Sequence, residues 1–578
     1  MKFLYPIYTE QTECQDCYKC IRQCPVKAIR VEDGHAAVVS ELCIMCGNCV
    51  INCPAKAKHV RNDVPKARQL MKLKKRVIAS LAPSFASEFP EYKPEQIVAA
   101  LKKLGFWGVS ETAIGADFVS AHLSEVFKNE SGKKDGQKLF LSSACPSVVN
   151  FIKQYMSNYA PYITDCASPL LAHARYLKKT YGEDTCVIFI GPCIAKKSEA
   201  DSFPEIDAAV TFENLRKWFE LEGISPANCT PDENDVFIPQ TAAQGALYPV
   251  DGGMIASVRN YGNPVRSMSV SGIRQIKEAL EDLNINDLTE PLFIELLACR
   301  GGCINGPVTE RKSAAALRHV QLMQYADKME KTLPDALLGK KPDIGDTLPV
   351  EAIPKAKHTE EEIREALRTV GKYSATDEVN CASCGYDTCR AFAEAMLDNR
   401  AEKTMCVSYM RKLAQKKANG LIKAIPGGVV IADKNLKIVE CNENFARLMG
   451  SDVLQMYEIK PGMEGADLDK IAGFARFFSD VISTDGPDVI DRDVREGKRI
   501  FHVSVFSIEK ESIAGGVIED VTAPQVQKHR IISQAKKVID KNLSVVQQIA
   551  FLLGENAAES EAILNSIIES FSEDEDEQ

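Results

Sequence analysis

Three apolar runs in this chain end in cysteine, and that pattern leaves few folds open. Pro291-Leu-Phe-Ile-Glu-Leu-Leu297 leads into Cys299-Arg-Gly-Gly-Cys303. Lys138-Leu-Phe-Leu141 leads into Ser142-Ser-Ala144-Cys145-Pro146, and Cys186-Val-Ile-Phe-Ile190 into Gly191-Pro-Cys193. Each run has the length and composition of a buried strand. Open α/β sheets place their ligands at the carboxyl ends of strands, so Cys145, Cys193, Cys299 and Cys303 are expected to converge on one buried site. The two glycines between Cys299 and Cys303 let the backbone come close to a bulky ligand. A free cysteine is at home in a core without any ligand, but three strand-end placements together point to an iron–sulfur or other metal centre inside an α/β core.

A second cysteine pattern precedes it. Cys14-x2-Cys17-x2-Cys20-x3-Cys24-Pro25 recurs as Cys43-x2-Cys46-x2-Cys49-x3-Cys53-Pro54. Three thiolates at this spacing wrap one face of a cubane while the fourth crosses to the other cluster. The expected ligand sets are Cys14, Cys17, Cys20 and Cys53 for one [4Fe–4S] cluster, and Cys24, Cys43, Cys46 and Cys49 for the other. Zinc sites use separated pairs rather than triplets. The chemistry of such a domain is electron transfer.

The chain's 578 residues are too many for one core and suggest about four domains at ~100–200 residues each. Its 20 cysteines, at these spacings, read as metal ligands and not as disulfides. The start, Met1-Lys-Phe-Leu-Tyr-Pro6, does not read as a secretory leader, and the apolar runs fall short of the ~18–20 residues of a membrane span. A reducing cytoplasm is the expected compartment. A net charge of −10 argues against nucleic acid as a bulk partner, and part of it lies in a solvated tail, Glu573–Glu577.

From about Ala79 to His319, the three strand-end segments resemble the three H-cluster motifs of [FeFe]-hydrogenases. The resemblance implies that Cys145, Cys193, Cys299 and Cys303 hold a [4Fe–4S] cubane. It implies further that Cys303 bridges to a di-iron subcluster carrying CO, cyanide and a dithiolate bridge. Lys196 and Ala82-Pro83-Ser84 match the positions that hydrogen-bond the cyanides. The departures carry functional information. Catalytic members place a proton-passing cysteine where this chain has Ala144, whose methyl has no exchangeable proton. The two relay carboxylates fall on Leu123 and Val126, while Thr164 keeps a hydroxyl at a further relay position. His122 and Glu125 are the candidates for another outlet. Leu297 stands where a methionine usually contacts the cluster, Tyr248 where a phenylalanine lines the pocket, and the last motif ends Asn305-Gly306-Pro307 without the usual glycine run. Cys166, Cys186 and Cys229 are expected to be core residues.

Helical spacing is expected over Lys153–Tyr159 and Leu170–Lys179. Residues 326–370, rich in Pro, Lys and Asp, read as a linker. Cys381-x2-Cys384-Gly385-x3-Cys389, a helical stretch and then Cys406 resemble a small four-cysteine iron–sulfur domain holding one more [4Fe–4S] cluster, with a tetrahedral zinc site as the rival. Beyond Met410 the pattern changes to strand–turn–strand at Gly427–Glu440, a helix carrying Phe445 and Met449, and an alternating strand around Phe501, Val503 and Val505. This resembles a PAS domain ending on Asp520-Val521-Thr522, with no ligand specified, and with His502 on the strand surface and Cys441 in the packing. Val538, Val545, Ile549, Leu552 and Ile563 fit one heptad register, with Asn542 and Asn556 at a positions, which favours a dimeric signalling helix over one packed on its own domain.

The expected architecture is multidomain, α/β and α+β. A two-cluster ferredoxin-like domain (1–62) precedes an α/β H-cluster domain (75–325), the linker and a four-cysteine domain (371–412). A PAS domain (415–524), then a signalling helix with an acidic tail (525–578), completes the chain. The function implied is that of the sensory, PAS-containing group: H2 is bound or slowly turned over, and the redox signal passes through the clusters to the PAS domain and an external kinase or phosphatase. An ordinary ferredoxin-linked hydrogenase and an electron-transfer or assembly protein holding cubanes only are the alternatives. H2, a ferredoxin-type redox protein and a second copy of the chain are the expected partners; nucleic acid and membrane are not.

Overall fold

The computed structural model describes residues 5–523 except 132, 134, 135, 263, 312, 346–351, 354–356, 484 and 485. The helix expected over 525–578 therefore lies outside the described residues. The chain divides into two compact units, 1–410 and 411–578.

In the first unit the cysteine repeat becomes a backbone repeat. Four short strands frame it: β1 (Ile7–Thr9), β2 (Ile29–Glu32), β3 (His35–Val38) and β4 (Lys58–Val60). β1 pairs antiparallel with β4, and β2 with β3. Two five-residue helices, α1 (Lys19–Gln23) and α2 (Asn48–Asn52), follow the two cysteine triplets. Left-handed residues Asp16, Tyr18 and Lys27 in the first half recur as Met45, Gly47 and Lys56 in the second. These left-handed positions bend the chain sharply beside the cysteines, at a backbone cost that non-glycine residues bear here.

The next domain holds two parallel sheets. One runs in the order β6 (Gly108–Glu111), β5 (Val77–Leu81), β8 (Cys186–Gly191), β9 (Ala208–Thr211). The other has β10 (Arg266–Ser271), β11 (Leu292–Leu297) and β7 (Leu139–Leu141). β5 and β8 are buried along their whole length, as expected for parallel strands covered on both faces. The cysteine-bearing strands are therefore split between the sheets: β7 and β11 share one, and β8 belongs to the other.

Helix α3 (Ala113–Ser131) follows β6. α4 begins at Pro146 and ends at Tyr155, after which Ser157–Tyr162 tightens into a 3-10 turn containing Pro161. The helix expected over Lys153–Tyr159 is thus moved upstream, because proline is preorganised for the first helical position and breaks an interior one. α5 (Pro169–Tyr181) and α6 (Ala195–Ser202) complete the layer used below. Cys166, Cys186 and Cys229 are buried.

The stretch 326–370 is more than a linker. Leu333, Leu337 and Ile344 are buried in the same core as β5 and β8, and Ala167 N–H donates to the Ile344 carbonyl at 2.6 Å. Three apolar anchors spaced among prolines and lysines show no period, so the pattern hides them. α7 (Glu360–Thr369) then packs Ile363, Ala366 and Leu367 against Cys389 and Ala393 of α8 (Cys389–Leu397).

The second unit is an antiparallel five-stranded sheet in the order β13 (Ile438–Cys441), β12 (Gly428–Asp433), β16 (Ile513–Asp520), β15 (Arg499–Glu509), β14 (Val489–Glu496). Phe501, Val503 and Val505 point into a core of aliphatic side chains and phenylalanines that includes Phe445, Phe474 and Phe478. On the other face His502 lies 2.5 Å from Asp491 and 2.8 Å from Asp493. Asn442 caps the helix Glu443–Met449: its oxygen accepts from Phe445 and Val429 N–H, and its amide donates to the Ile422 and Gly427 carbonyls. Cys441 is buried, its thiol donating to the Gly462 carbonyl. Thr522 is tied to β15 by accepting from Ile500 N–H at 2.9 Å. Among the described residues no helix is long and apolar enough to cross a membrane.

Candidate metal centre and cavity

Cys145 occupies the N-cap of α4, with Pro146 at the first helical position, where a missing N–H costs nothing. Cys193 leaves β8 and is followed at once by α6, whose Ala195 and Lys196 N–H groups bond its thiol. Cys299 and Cys303 come from the turn after β11, where Gly301 and Gly302 have φ of +71° and +97°. A Cβ at Gly302 would lie 2.1 Å from the Pro249 carbonyl oxygen. Glycine is therefore required for this turn to close.

All four thiols border one small enclosed space, together with Cys46. Burial pushes Cys193 up to about 11, with Cys145 adding to it. Burial likewise raises Cys303, with Cys145 and Cys193 adding, and Cys299, with Cys303, Cys193, Cys145 and Cys46 adding. Thiols crowded this way resist ionising by themselves, whereas a metal centre deprotonates its thiols outright. The donor set fits a cubane.

Beside this space is a cavity of about 100 Å³ lined by Pro83, Ser84, Ala144, Cys145, Cys193, Lys196, Tyr248, Glu295, Leu297 and Cys303. Ser84 is 1% exposed and its hydroxyl has no partner. Lys196 is held by donating to Ser168 Oγ at 2.9 Å and by an ion pair with Glu199 at 2.5 Å. Ser168 itself caps α5 by accepting from Leu171 N–H. An unsatisfied buried hydroxyl is costly. At an apolar cavity wall beside an ammonium, it suits small acceptor ligands such as cyanide. The residues present thus fit a di-iron group as well as a cubane.

Proton-carrying groups are sparse here. Ala144 presents its methyl to the cavity. Leu123 is fully buried and Val126 partly so, and Thr164 donates to Ser143 Oγ at 3.2 Å. His122 and Glu125 do not line the cavity. Both meet Lys341 instead, Glu125 at 2.9 Å and His122 at 3.5 Å. Tyr248 keeps its hydroxyl on Ser120 at 2.9 Å.

Glu295 is the group that the motif reading passed over. It sits 1% exposed in β11 and lines the cavity, its two oxygens accepting from Met254 and Ile255 N–H at 3.3 and 3.1 Å. Burial pushes its carboxyl up to about 7 despite those bonds, and Asp251 adds to the rise. Asp251 is exposed and accepts from Ser269 and Ser271 hydroxyls. The signal was an acid inside an otherwise apolar strand, since carboxylates are rarely buried without a purpose.

In the cysteine repeat, Cys43 is pushed up to about 12 by burial, with Cys49 and Cys24 adding. Cys46 is raised by burial and then by Cys24 and Cys43, and Cys49 by burial and then by Cys46 and Cys24. Those four are mutual neighbours. Ala28 N–H donates to Cys24 Sγ and Met45 N–H to Cys43 Sγ. Cys20, raised to about 11 by burial, has Cys14 and Cys17 beside it, and Cys17 is exposed. Cys53 is half-buried. Cys14, Asp16 and His35 also meet, their ligating atoms within 4.8 Å. Downstream, Cys384 is raised by burial, then by Cys406 and Cys381. Cys389 opens α8, its N–H donating to Asn380.

Three stretches of the chain match known families. Residues 75–307 match the family model described as iron only hydrogenase large subunit, C-terminal domain. Residues 6–54 match a 4Fe-4S dicluster domain, and 377–408 an Fe-S cluster family. The periplasmic [Fe] hydrogenase large subunit of Nitratidesulfovibrio vulgaris is 26% identical over 363 residues, which cover 52% of this chain and 86% of that protein. Iron hydrogenase 1 of Clostridium pasteurianum is 24% identical over 286 residues, 40% of this chain and 50% of that one. A solved [FeFe]-hydrogenase structure superposes with a TM-score of 0.40 at 18% identity, covering 47% of this chain and 91% of that chain.

Proposed function

We propose that this chain is a hydrogenase-like oxidoreductase of the iron-only hydrogenase family, which its residues 75–307 match, and that it senses hydrogen rather than turning it over rapidly. The observation that carries the reading is the methyl of Ala144 at the cavity wall, with apolar Leu123 and Val126 where relay carboxylates stand in catalytic relatives. The cluster and di-iron group, when bound, supply reversible H2 cleavage. Cys145, Cys193, Cys299 and Cys303 hold them in this proposal. Ser84 and Lys196 donate to the small ligands, and Pro83 shapes the pocket beside them.

Proton handling falls to Glu295, the titratable side chain at the cavity wall whose carboxyl is poised near neutrality. One carboxyl in place of a continuous relay supports slow exchange with solvent. Electrons leave through Cys24, Cys43, Cys46 and Cys49, since Cys46 borders the same space as Cys299, and onward through Cys14, Cys17, Cys20 and Cys53. The centre at Cys381, Cys384, Cys389 and Cys406 completes the set of clusters.

The strand order of the second unit supports a PAS domain as receiver. In this reading the domain passes the signal to a kinase or phosphatase, through a dimeric helix beyond Thr522. Residence in a reducing cytoplasm belongs to the same proposal. The unpartnered Ser84 hydroxyl favours a di-iron group over a cubane-only protein.

The test is an infrared spectrum of anaerobically prepared protein supplied with the di-iron group, before and after H2. Terminal CO and cyanide bands that shift under H2 support the sensor. Fast steady-state turnover would favour a ferredoxin-linked enzyme instead, and absence of the bands after competent maturation would leave cubanes only.

A further inference from the structure

The four-cysteine module could have hung beyond the hydrogenase domain as a bead on the chain. Instead it is built onto the cysteine-repeat domain. Arg22 of α1 donates to the Cys17 carbonyl at 3.0 Å and to the Ser383 carbonyl at 3.2 Å. Lys27 donates to the Gly385 carbonyl at 2.6 Å and lies 3.6 Å from Asp387. Val31 N–H, on β2, donates to the Arg400 carbonyl. Gly385, at φ +97°, meets Ile21 so closely that a Cβ there would lie 2.7 Å from the Ile21 side chain.

Ile21, Cys20, Cys24, Tyr386, Phe392 and Cys406 share one buried core. Tyr386, next to Gly385, is buried in that core among residues of both cysteine groups. α1 in turn carries Cys20 and is capped by Cys24, one from each ligand set of the repeat.

We propose that the Cys381, Cys384, Cys389 and Cys406 centre is docked on α1 as a built-in redox partner, so that the electron wire branches at this helix. One branch ends at exposed Cys17 and the other at exposed Cys381. The inference rests on the reading that these four cysteines hold a cubane. The step is a single electron passing from a reduced cubane of the repeat to the oxidised cubane of the module, or back. No bond forms or breaks and no proton is needed, and H2 or an added reductant supplies the electron. The contact through Gly385 and Ile21 is close because no side chain stands between them. The paired cations Arg22 and Lys27 fix it by binding carbonyls next to Cys384.

The experiment uses the full-length protein with its clusters in place, reduced with dithionite and frozen for electron paramagnetic resonance. Neighbouring reduced cubanes broaden and speed the relaxation of one another's signals. Docking is expected to show as such coupling between the module and the repeat, and as slow hydrogen exchange at Val31 N–H. Arg22→Glu with Lys27→Glu is expected to abolish the coupling and speed that exchange while iron content stays unchanged. If charge reversal costs iron, Arg22→Ala with Lys27→Ala, which only removes the donors, gives the same comparison. A wild-type spectrum equal to the sum of isolated clusters, or coupling that survives both pairs of substitutions, overturns the proposal. Coupling after dithionite in a protein that H2 leaves oxidised would uphold the docking and count against the hydrogen reading alone.

Discussion

Glu295→Gln removes the cavity carboxyl and keeps its shape. A glutamine oxygen still accepts from one of the Met254 and Ile255 N–H groups, but its amide meets the other, which costs about 1–3 kcal/mol for a buried donor left unmade. The functional loss is larger. A positioned acid or base contributes typically ~10²–10⁴-fold, so D2–water exchange by the matured protein is expected to fall at least about a hundredfold. The pH profile carries the sign. With the carboxyl pushed up to about 7, its base form dominates above that pH, so H2 oxidation rises through neutrality and proton reduction falls. The glutamine variant should be flat across the same range. Stability is linked oppositely. A folded value above the unfolded 4.5 means the fold binds this proton more tightly, so the contribution is fully present below about pH 4.5 and lost as pH climbs through about 7. The loss is on the order of 3 kcal/mol at about 1.36 kcal/mol per unit; it should be absent from the variant and appear as a pH-dependent wild-type minus variant difference in denaturant melts. Intact CO and cyanide bands with an unchanged exchange rate and pH profile in Glu295→Gln would refute the reasoning.

Other outcomes follow from the same geometry. Ala144→Cys should raise H2 turnover if the missing thiol limits it; an unchanged rate would mean the bottleneck lies elsewhere and would remove the sensor's main support. Asp63→Ala should cost about 3–5 kcal/mol, because it strands the fully buried Lys197 ammonium, 2.9 Å away, and takes one of two carboxylates from Arg61. A loss below about 1 kcal/mol in chemical denaturation would show that this junction between β4 and α6 tolerates the charge. Gly302→Ala should abolish assembly of the centre, since strain at positive φ costs about 1–3 kcal/mol before the clash with the Pro249 carbonyl is counted. Normal iron loading of that variant would contradict the required turn.

The cysteines were legible in the chain because metal chemistry demands them at short, rigid spacings, and apolar runs ending in them announced strands feeding a common site. The repeat's internal symmetry was equally plain, whereas its left-handed backbone positions came only with the structure. Less was readable wherever contacts join distant segments. Leu333, Leu337 and Ile344 form no period, yet they are buried in the same core as β5 and β8. Glu295 stood in plain sight, but its place at the cavity wall depends on the helix Gly253–Asn260, whose first turn supplies its partners. His122 and Glu125, near the relay positions in sequence, turn to Lys341 because a helix sends neighbouring residues to different faces.

The sequence by itself determined where the cysteines stand and at what spacing, where the apolar strands that lead into them lie, and that apolar residues occupy positions 123, 126 and 144. Those are local facts, set by residue chemistry and spacing along the chain. Only the tertiary structure decided that the cysteine strands belong to two sheets, that Glu295 faces the cavity, and that the four-cysteine module rests on α1. Each of those depends on which surfaces exclude water from one another across hundreds of residues, and no short stretch of sequence holds both sides of such a contact.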